Sequence, residues 1–353
     1  MSSEAVRLRR GQAAPPPVAG LPAADWDAVT EGERVSLGVE LAERLGRDAP
    51  RPGRGRTREL WELLAGLGAL DLTVARVVEP HLDALAILDE AGRADGEMPG
   101  GLLGVYAAEG PGVRLHAEPD GEGRWRLTGT KPWCSLADRV GGFLVTAWVD
   151  DSRRGLFLVD ARRSRAALTF VDSPWVARGL SAVTSPAVEL AGVPAVAVGE
   201  PQWYLERPGF AWGGIGVAAI WWGGAVGVAR RVYAAASQRP PDQVALMLLG
   251  AIDGALERAR ALLADAADRV DDGRPAAGGD AAILAARVRQ VVSGSAEEVL
   301  RLAGHALGPG PLTAEESHAR RVHDLGLYLR QEHAERDQAA LGALLLKSGR
   351  PPW

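Results

Sequence analysis

The sequence predicts an α+β chain in several parts: a short N-terminal helical domain, a middle all-β domain of barrel or sandwich kind, and a C-terminal helical bundle. Three observations predict it. Apolar residues recur at helical spacing over 57–87, short alternating runs fill 102–198, and the pattern turns helical again after Phe210 and stays so. At 353 residues and 47% hydrophobic content, the chain has material for two or three domains and a sizeable core.

Residues 1–54 are rich in Pro, Gly and Arg, with one helical candidate over 26–45 whose Val35, Leu37, Val39, Leu41 and Leu45 are only partly periodic. This stretch reads as a loosely ordered leader. Over 55–102, Leu60, Leu63, Leu64 and Leu67 share one helix face, and Val74, Val77, Val78, Leu82, Leu85 and Ile87 continue the theme, giving two or three short helices. A polar, Gly-rich break at 92–101 opens the middle domain, 103–200. Its runs at 102–107, 112–117, 125–128, 143–149, 155–159, 168–171, 187–190 and 195–198 read as strands. In the bundle, 201–353, Pro241-Asp242 starts a helix reaching Asp272-Gly273, and Asp280 caps one reaching about Leu302. Thr313-Ala-Glu-Glu316 has the form of a capping box opening the last helical region, with a break near Gly326.

Composition narrows the function. A formal charge of −5 gives no global basic field, so nucleic acid is not an expected partner, and a small-molecule site is favoured. The single cysteine, Cys134, excludes an internal disulfide framework and a Cys-based zinc site; it fits a reducing cytoplasm and reads as a small buried apolar residue. No metal site is expected, because His318 and His323 are five apart and do not share a helix face. Arg7, Arg9 and Arg10 precede no apolar h-region, so no secretion signal is expected. The chain runs uncharged from Gly209 to Ala229, long enough to span a bilayer, but its glycines and central Trp221-Trp222 fit a helix buried in a bundle better than a membrane span. Gly213-Gly-Ile-Gly216 lacks a preceding strand and reads as close helix packing. His81, after Glu79-Pro80, reads as a helix-end or surface residue.

The most informative stretch is Leu127-Thr-Gly-Thr-Lys-Pro-Trp-Cys-Ser-Leu-Ala-Asp138, in which an alternating run leads to Gly129, read as a turn, and a second element opens at Trp133 to Ser135. It resembles the G-x-K-x-W-I-[ST]-N-A-x-x-A-D segment of the acyl-CoA dehydrogenase superfamily. Gly129, Lys131, Trp133, Ser135, Ala137 and Asp138 match; Cys134 replaces Ile, and the part after Ser135 is shorter. The order of helices, β domain and bundle over roughly 57–345 is also the superfamily's, and the resemblance makes the middle domain a barrel.

The resemblance implies a flavoprotein using FAD and oxidising an acyl thioester at its α,β carbons. It implies that Trp133 packs on the flavin ring and Ser135 bonds near its reactive nitrogen. Gly104-Val-Tyr-Ala-Ala-Glu-Gly-Pro-Gly112 is similar to A-x-[ST]-E-P-x-x-G-S, which makes Glu109 a flavin-binding candidate although the hydroxyl is missing. Arg178-Gly-Leu-Ser-Ala-Val-Thr-Ser185 resembles the exit from the β domain. Arg239 and Gln243 partly replace R-x-x-F-G and its downstream Gln, which in the family grip the pyrophosphate of a neighbouring subunit's dinucleotide; Gly304 and Gly308 stand where the Q-x-x-G-G-x-G turn needs the backbone to come close.

In the family pattern R-D-(x)7-E-G-T the Glu is the base that removes the α-proton. His323-Asp324 stands in place of Arg-Asp, and Glu332 lies eight residues beyond Asp324, with His333 replacing Gly. Glu332 is therefore the candidate base. His333 sustains a rival, since some relatives are flavin-dependent monooxygenases with a His near the flavin. A third reading is a flavin-free binding or scaffold subunit. The resemblance further implies an acyl-CoA or related small-molecule substrate and a homodimer or homotetramer.

Overall fold

The computed structural model describes residues 6–9, 28–46, 48–93, 98–121, 123–172, 174–238, 240–273 and 278–349. Helices α1 (Glu31–Gly46), α2 (Thr57–Leu70) and α3 (Leu72–Glu90) form the N-terminal layer. Strands β1 (Leu103–Tyr106), β2 (Leu115–Gly121), β3 (Arg124–Lys131), β4 (Gly142–Trp148), β5 (Arg154–Asp160), β6 (Leu168–Phe170) and β7 (Val188–Ala197) follow. A short α4 (Trp203–Glu206) leads into α5 (Pro208–Ser237), α6 (Gln243–Asp271), α7 (Gly278–Leu307), α8 (Gly310–Ala314), α9 (Glu316–Tyr328) and α10 (Glu335–Lys347).

The strands run β1-β4-β2-β3-β7-β5, and pairing of β5 back onto β4 closes them into a barrel, which leaves few strand edges open. The two alternating runs expected as separate strands at 187–190 and 195–198 are instead one strand, β7. Gly192 lies between the partners of Leu127 and Thr128 at φ +67°, so it takes up one extra residue as a bulge and the ladder to β3 continues past it.

The apolar helix α5 is buried over most of Trp212–Val232 against α2, α6 and α7, which makes it the core helix of the bundle. Its glycines set how close the neighbours come. A Cβ on Gly223 would collide with the Ala65 carbonyl of α2, and one on Gly68 of α2 would collide with the Ile220 carbonyl, so the two backbones touch where side chains are lacking.

The expectation of a loosely ordered leader is corrected over 31–46. There α1 packs on α3 through buried Val35, Leu41 and Ala42, and through Gly38, which sits against Val77. The periodicity of α1 is weak because one of its buried anchors is a charge. Arg34 donates through Nη1 to Asp71 Oδ2 at 2.9 Å, both side chains being almost inaccessible. Asp71 also caps α3 by accepting from the Val74 amide, and it pairs with Arg320 of α9 at 3.6 Å.

The C-terminal boundaries differ in detail. Asp242 caps α6, but α7 begins two residues before Asp280, and Thr313 ends α8 by bonding back to Pro309 and Gly310 carbonyls, so it opens no capping box. The last helical region breaks after Tyr328 and not at Gly326, through a 3-10 turn Leu329–Gln331.

Candidate functional site

The stretch after β3 is built by backbone that few side chains tolerate. Gly129 makes no turn: β3 runs on to Lys131, and the glycine is required because a Cβ would collide with the Arg114 carbonyl of the preceding chain segment. The turn follows, with Trp133 at φ +60° and Leu136 at φ +52°. The amides of Cys134 and Leu136 bond to the Pro186 and Thr184 carbonyls, which fastens the turn to the segment before β7. Two residues are thereby displayed. Trp133 is 57% exposed although most of the large apolar side chains are in the core, and Ser135 lies half-buried beside it. Cys134 between them is fully buried, and burial pushes its thiol up to about 12, so it is an inert apolar filler.

Ser135 is the meeting point of the β domain and α3. Its hydroxyl accepts from Arg76 Nη2 at 3.0 Å and lies 2.8 Å from the Ser185 hydroxyl, and its carbonyl accepts from the Tyr106 hydroxyl at 3.0 Å. Ser185 Oγ also donates to the Val183 carbonyl at 3.3 Å, and when it does so the Ser135 proton is the one that bridges the two hydroxyls.

From Arg76 the polar path continues inward. Glu79, one turn along α3, is 3.8 Å from the Arg76 guanidinium, and its side chain is 13% exposed. Burial pushes its carboxyl up to about 7, with Asp83 adding repulsion and Arg76 opposing. Tyr328, 1% exposed at the end of α9, has the Arg76 guanidinium 5.9 Å from its ring centroid, and its hydroxyl is without a hydrogen-bond partner among the described residues. Burial drives its hydroxyl well above the usual range, and the charge of Glu79 adds to this.

Glu332 lies just past the 3-10 turn, buried, with Arg289 Nε of α7 3.1 Å from its Oε2. The contact is an ion pair without hydrogen-bond alignment. Burial raises the Glu332 carboxyl and Arg289 opposes the rise. Arg289 is held over the Trp221 ring at 4.7 Å and donates to the Gly214 and Gln331 carbonyls. The carboxylate is thus fixed from behind by the bundle.

Ser135, close to Trp133 in the chain, is thus joined to Arg76, which reaches Glu79 and the Tyr328 ring, and Glu332 is joined to Arg289 of the bundle. The structure does not bring the other sequence candidates to either group. His333 is 66% exposed on its side chain; its amide and ring both engage Asp337, which turns it toward solvent. Glu109 is committed to the barrel: Lys131 Nζ lies at 2.6 Å, Arg154 at 3.4 Å and Trp148 Nε1 at 3.2 Å. Burial pushes the Glu109 carboxyl up, but these partners outweigh it and hold it below its usual value. Gly304 and Gly308 have open space where a side chain would stand, so packing within the chain requires glycine at neither, whereas the φ of +65° at Gly308 favours it there. Arg239 lies outside the described residues.

His81 is buried and not at the surface. Its Nδ1 accepts from the Leu103 amide at 3.1 Å, and burial with Arg51 nearby lowers it to about 4, so it is a neutral link from α3 to β1. The exit segment meets α9 as well: the Leu180 amide donates to Asp324 Oδ1 at 2.6 Å, and a Cβ on Gly179 would collide with the His323 carbonyl. His323-Asp324 is therefore a domain junction.

Sequence reasoning missed Arg76, Glu79, Arg289 and Tyr328. A signal for the first two was present: Arg76, Glu79 and Asp83 fall on one stripe of an otherwise apolar helix, a placement that needs partners.

No protein-family model matches the chain, and no curated protein matches it. Solved structures do. TdsC from Paenibacillus sp. A11-2, crystallised with FMN and described as a dibenzothiophene monooxygenase, superposes with a TM-score of 0.74 at 17% identity, covering 92% of this chain and 92% of that chain. KijD3, solved with FMN and a dTDP-linked 3-amino-4-keto sugar, gives 0.72 at 18% identity over 91% of this chain and 86% of that one. Butyryl-CoA dehydrogenase from Megasphaera elsdenii gives 0.73 at 19% identity over 90% and 89%. At these identities the likeness is one of fold, and the acyl-CoA dehydrogenase-like fold expected from the sequence is borne out.

Proposed function

We propose that the chain is a flavin-dependent oxidoreductase acting on a small organic substrate between Trp133-Ser135 and Glu332. The residues at the ring end fit a flavin: an exposed indole offers a flat apolar face, and the half-buried Ser135 hydroxyl stands beside it. Bound there, a flavin supplies a two-electron acceptor. The neighbours solved with FMN or named as a dehydrogenase or monooxygenase support the class.

The observation that carries the finer reading is the buried Glu332. A carboxylate raised by burial is suited to accept a proton from carbon near neutral pH, and Arg289 with its three anchors keeps it oriented. With an acyl thioester, Glu332 takes the α-proton, and the β-hydrogen leaves with its electron pair on the opposite face, giving the α,β-unsaturated thioester. Ser135 orients the acceptor, and Tyr328 and Trp221 exclude water behind the base.

A second reading, oxygenation, is favoured by the polar character of the α3 stripe, which offers a long acyl chain little apolar surface. His333 does not serve that reading from its exposed position. FAD, implied by the motif resemblance, needs a grip for the adenylate; FMN needs less. A working assembly as a homodimer or homotetramer is part of the proposal, since Gly304, exposed near the end of α7, leaves an open surface there.

The test is the visible spectrum of purified protein, with released cofactor identified and anaerobic titration against a panel of acyl-CoA thioesters. Bleaching by a thioester supports the dehydrogenase, and loss of bleaching in Glu332→Gln with flavin retained supports the base. A flavin that stays oxidised with every thioester shifts the reading to oxygenation, and protein that neither contains nor takes up flavin overturns both.

A further inference from the structure

We propose that the cavity between α1, α3 and the segment leading into β1 is a binding site for a small monocarboxylate with an apolar stem. The site shares no residue with the Trp133-Ser135 and Glu332 groups, so the inference goes beyond the function proposed above and does not depend on it.

The cavity has a volume of about 630 Å³, in the range of small-molecule sites. Leu85 and Leu88 of α3 and Met98 give it an apolar wall, and His81, Arg51, Arg162 and Glu43 bring polar groups to it. Two glycines fix where those groups stand. Gly46 ends α1 against the imidazole: a Cβ there would lie 2.6 Å from His81 Nε2 and 2.9 Å from Leu85 Cδ1, so the ring and the apolar wall meet beside a residue without a side chain. The Arg51 guanidinium is anchored at the same place, donating through Nη2 to the Gly46 carbonyl and through Nη1 to the Ala49 carbonyl, each at 3.1 Å. At Gly101, φ +88°, a Cβ would lie 2.7 Å from Arg162 Nη2 and 3.6 Å from Glu43 Oε1, yet these two charges close no ion pair.

The hydrogen-bond pattern decides what the cavity takes. His81 is buried, and its Nδ1 accepts from the Leu103 amide at 3.1 Å, so Nδ1 carries no proton. Burial, with Arg51 adding to it, lowers the ring to about 4, so at neutral pH its single ring proton sits on Nε2. Nε2 has no partner among the described residues; it offers an N–H and requires an acceptor. Arg51 has donors to spare, since both of its bonds are to neutral carbonyls and it closes no ion pair with a described residue.

Charge narrows the acceptor further. Asp89 acts on Arg51 from beyond ion-pair distance and is itself paired with Arg54 at 3.3 Å, a residue outside the cavity wall. Arg51 and Arg162 then face Glu43 alone, a surplus of one positive charge. A monocarboxylate fits each of these features. Its oxygens accept from the Nε2 proton and from Arg51, its single charge matches the surplus, and its stem lies along Leu85, Leu88 and Met98. Arg162, exposed at the rim, attracts the anion inward. A phosphate dianion brings more charge than the wall balances, an amine meets two guanidiniums, and an alcohol leaves the surplus unmatched.

The experiment is NMR titration of the full-length protein carrying nitrogen-15 histidine, following the His81 ring at pH 7 and assigning it with His81→Gln. The free protein is expected to carry the ring proton on Nε2, and hexanoate to shift this signal saturably with a Kd of about 1 mM or below. Acetate, hexylamine, 1-hexanol and inorganic phosphate are expected to bind at least about ten-fold more weakly. Arg51→Gln should weaken hexanoate about ten-fold, and Arg162→Gln about three-fold, the latter serving alone should the former not fold. A ring protonated on Nδ1, hexanol or hexylamine binding as tightly as hexanoate, or an affinity unchanged in the folded arginine variants overturns the proposal. So does hexanoate that moves other signals and leaves His81 untouched, since it then binds elsewhere on the protein.

Discussion

Glu79→Gln is expected to stabilise the folded protein, and only above acidic pH. The Glu79 carboxyl moves from about 4.5 to about 7 on folding, because burial disfavours its charged form and Asp83 repels it while Arg76 compensates in part. The folded pKa lies above the unfolded one, so the folded state holds a proton that the unfolded state has released. The penalty is absent below pH 4.5, grows through the window from 4.5 to 7, and is complete above it. At about 1.4 kcal/mol per pH unit, the shift corresponds to about 3 kcal/mol, an upper figure because the side chain keeps an exposed edge. Glutamine preserves the shape and never ionises. Urea unfolding of both proteins at pH 5, 6, 7 and 8 isolates the effect, since the other groups titrate in both. The variant should match the wild type within about 1 kcal/mol at pH 5 and exceed it by roughly 2–3 kcal/mol at pH 8. A difference that stays flat with pH, or a variant that weakens as pH rises, refutes the reasoning.

Trp133→Ala should leave unfolding unchanged, because the indole is mostly exposed, but should weaken flavin binding about ten-fold in a fluorescence titration; unchanged affinity removes Trp133 from the ring face. Asp71→Ala strands the buried Arg34 and should cost about 3–5 kcal/mol in urea unfolding, with a loss under 1 kcal/mol ruling out the buried pair as an anchor. Gly223→Val forces α5 away from the Ala65 carbonyl and should cost at least about 1–3 kcal/mol by the same assay, whereas a neutral result denies the close approach.

The parts of the fold that were legible in the sequence are those whose burial is written in apolar periodicity: α2, α3, the barrel strands and the bundle helices. The α1 helix was legible as a helical candidate over 26–45 but not as a docked one, because two of its anchoring residues are Arg34, buried against the aspartate that caps α3, and Gly38, which fits under Val77; neither enters a hydrophobic pattern. The break expected within β7 was misplaced because a glycine in a strand marks either an end or a bulge, and the partner strand decides which. At the site, Trp133 and Ser135 stand in one local motif and were readable. Spacing nominated Glu332 and its neighbour His333 alike, and only the fold separates them, since beyond the 3-10 turn the first is buried and the second faces solvent. Arg76, Tyr328 and Arg289 come from three helices and meet only in the folded molecule.

The Asp71 cluster has a consequence for how the chain is made. Asp71 and Arg34 can pair once the first helices have left the ribosome, but Asp71's second partner, Arg320, and the cover of the Ala65 face of α2 arrive only with α9 and α5, far downstream. During synthesis the N-terminal helices therefore hold an uncovered apolar face for as long as the whole barrel is being added. Their assembly cannot be completed domain by domain from the N-terminus, and a nascent chain stalled between the barrel and α5 exposes the surface that chaperones and proteases recognise.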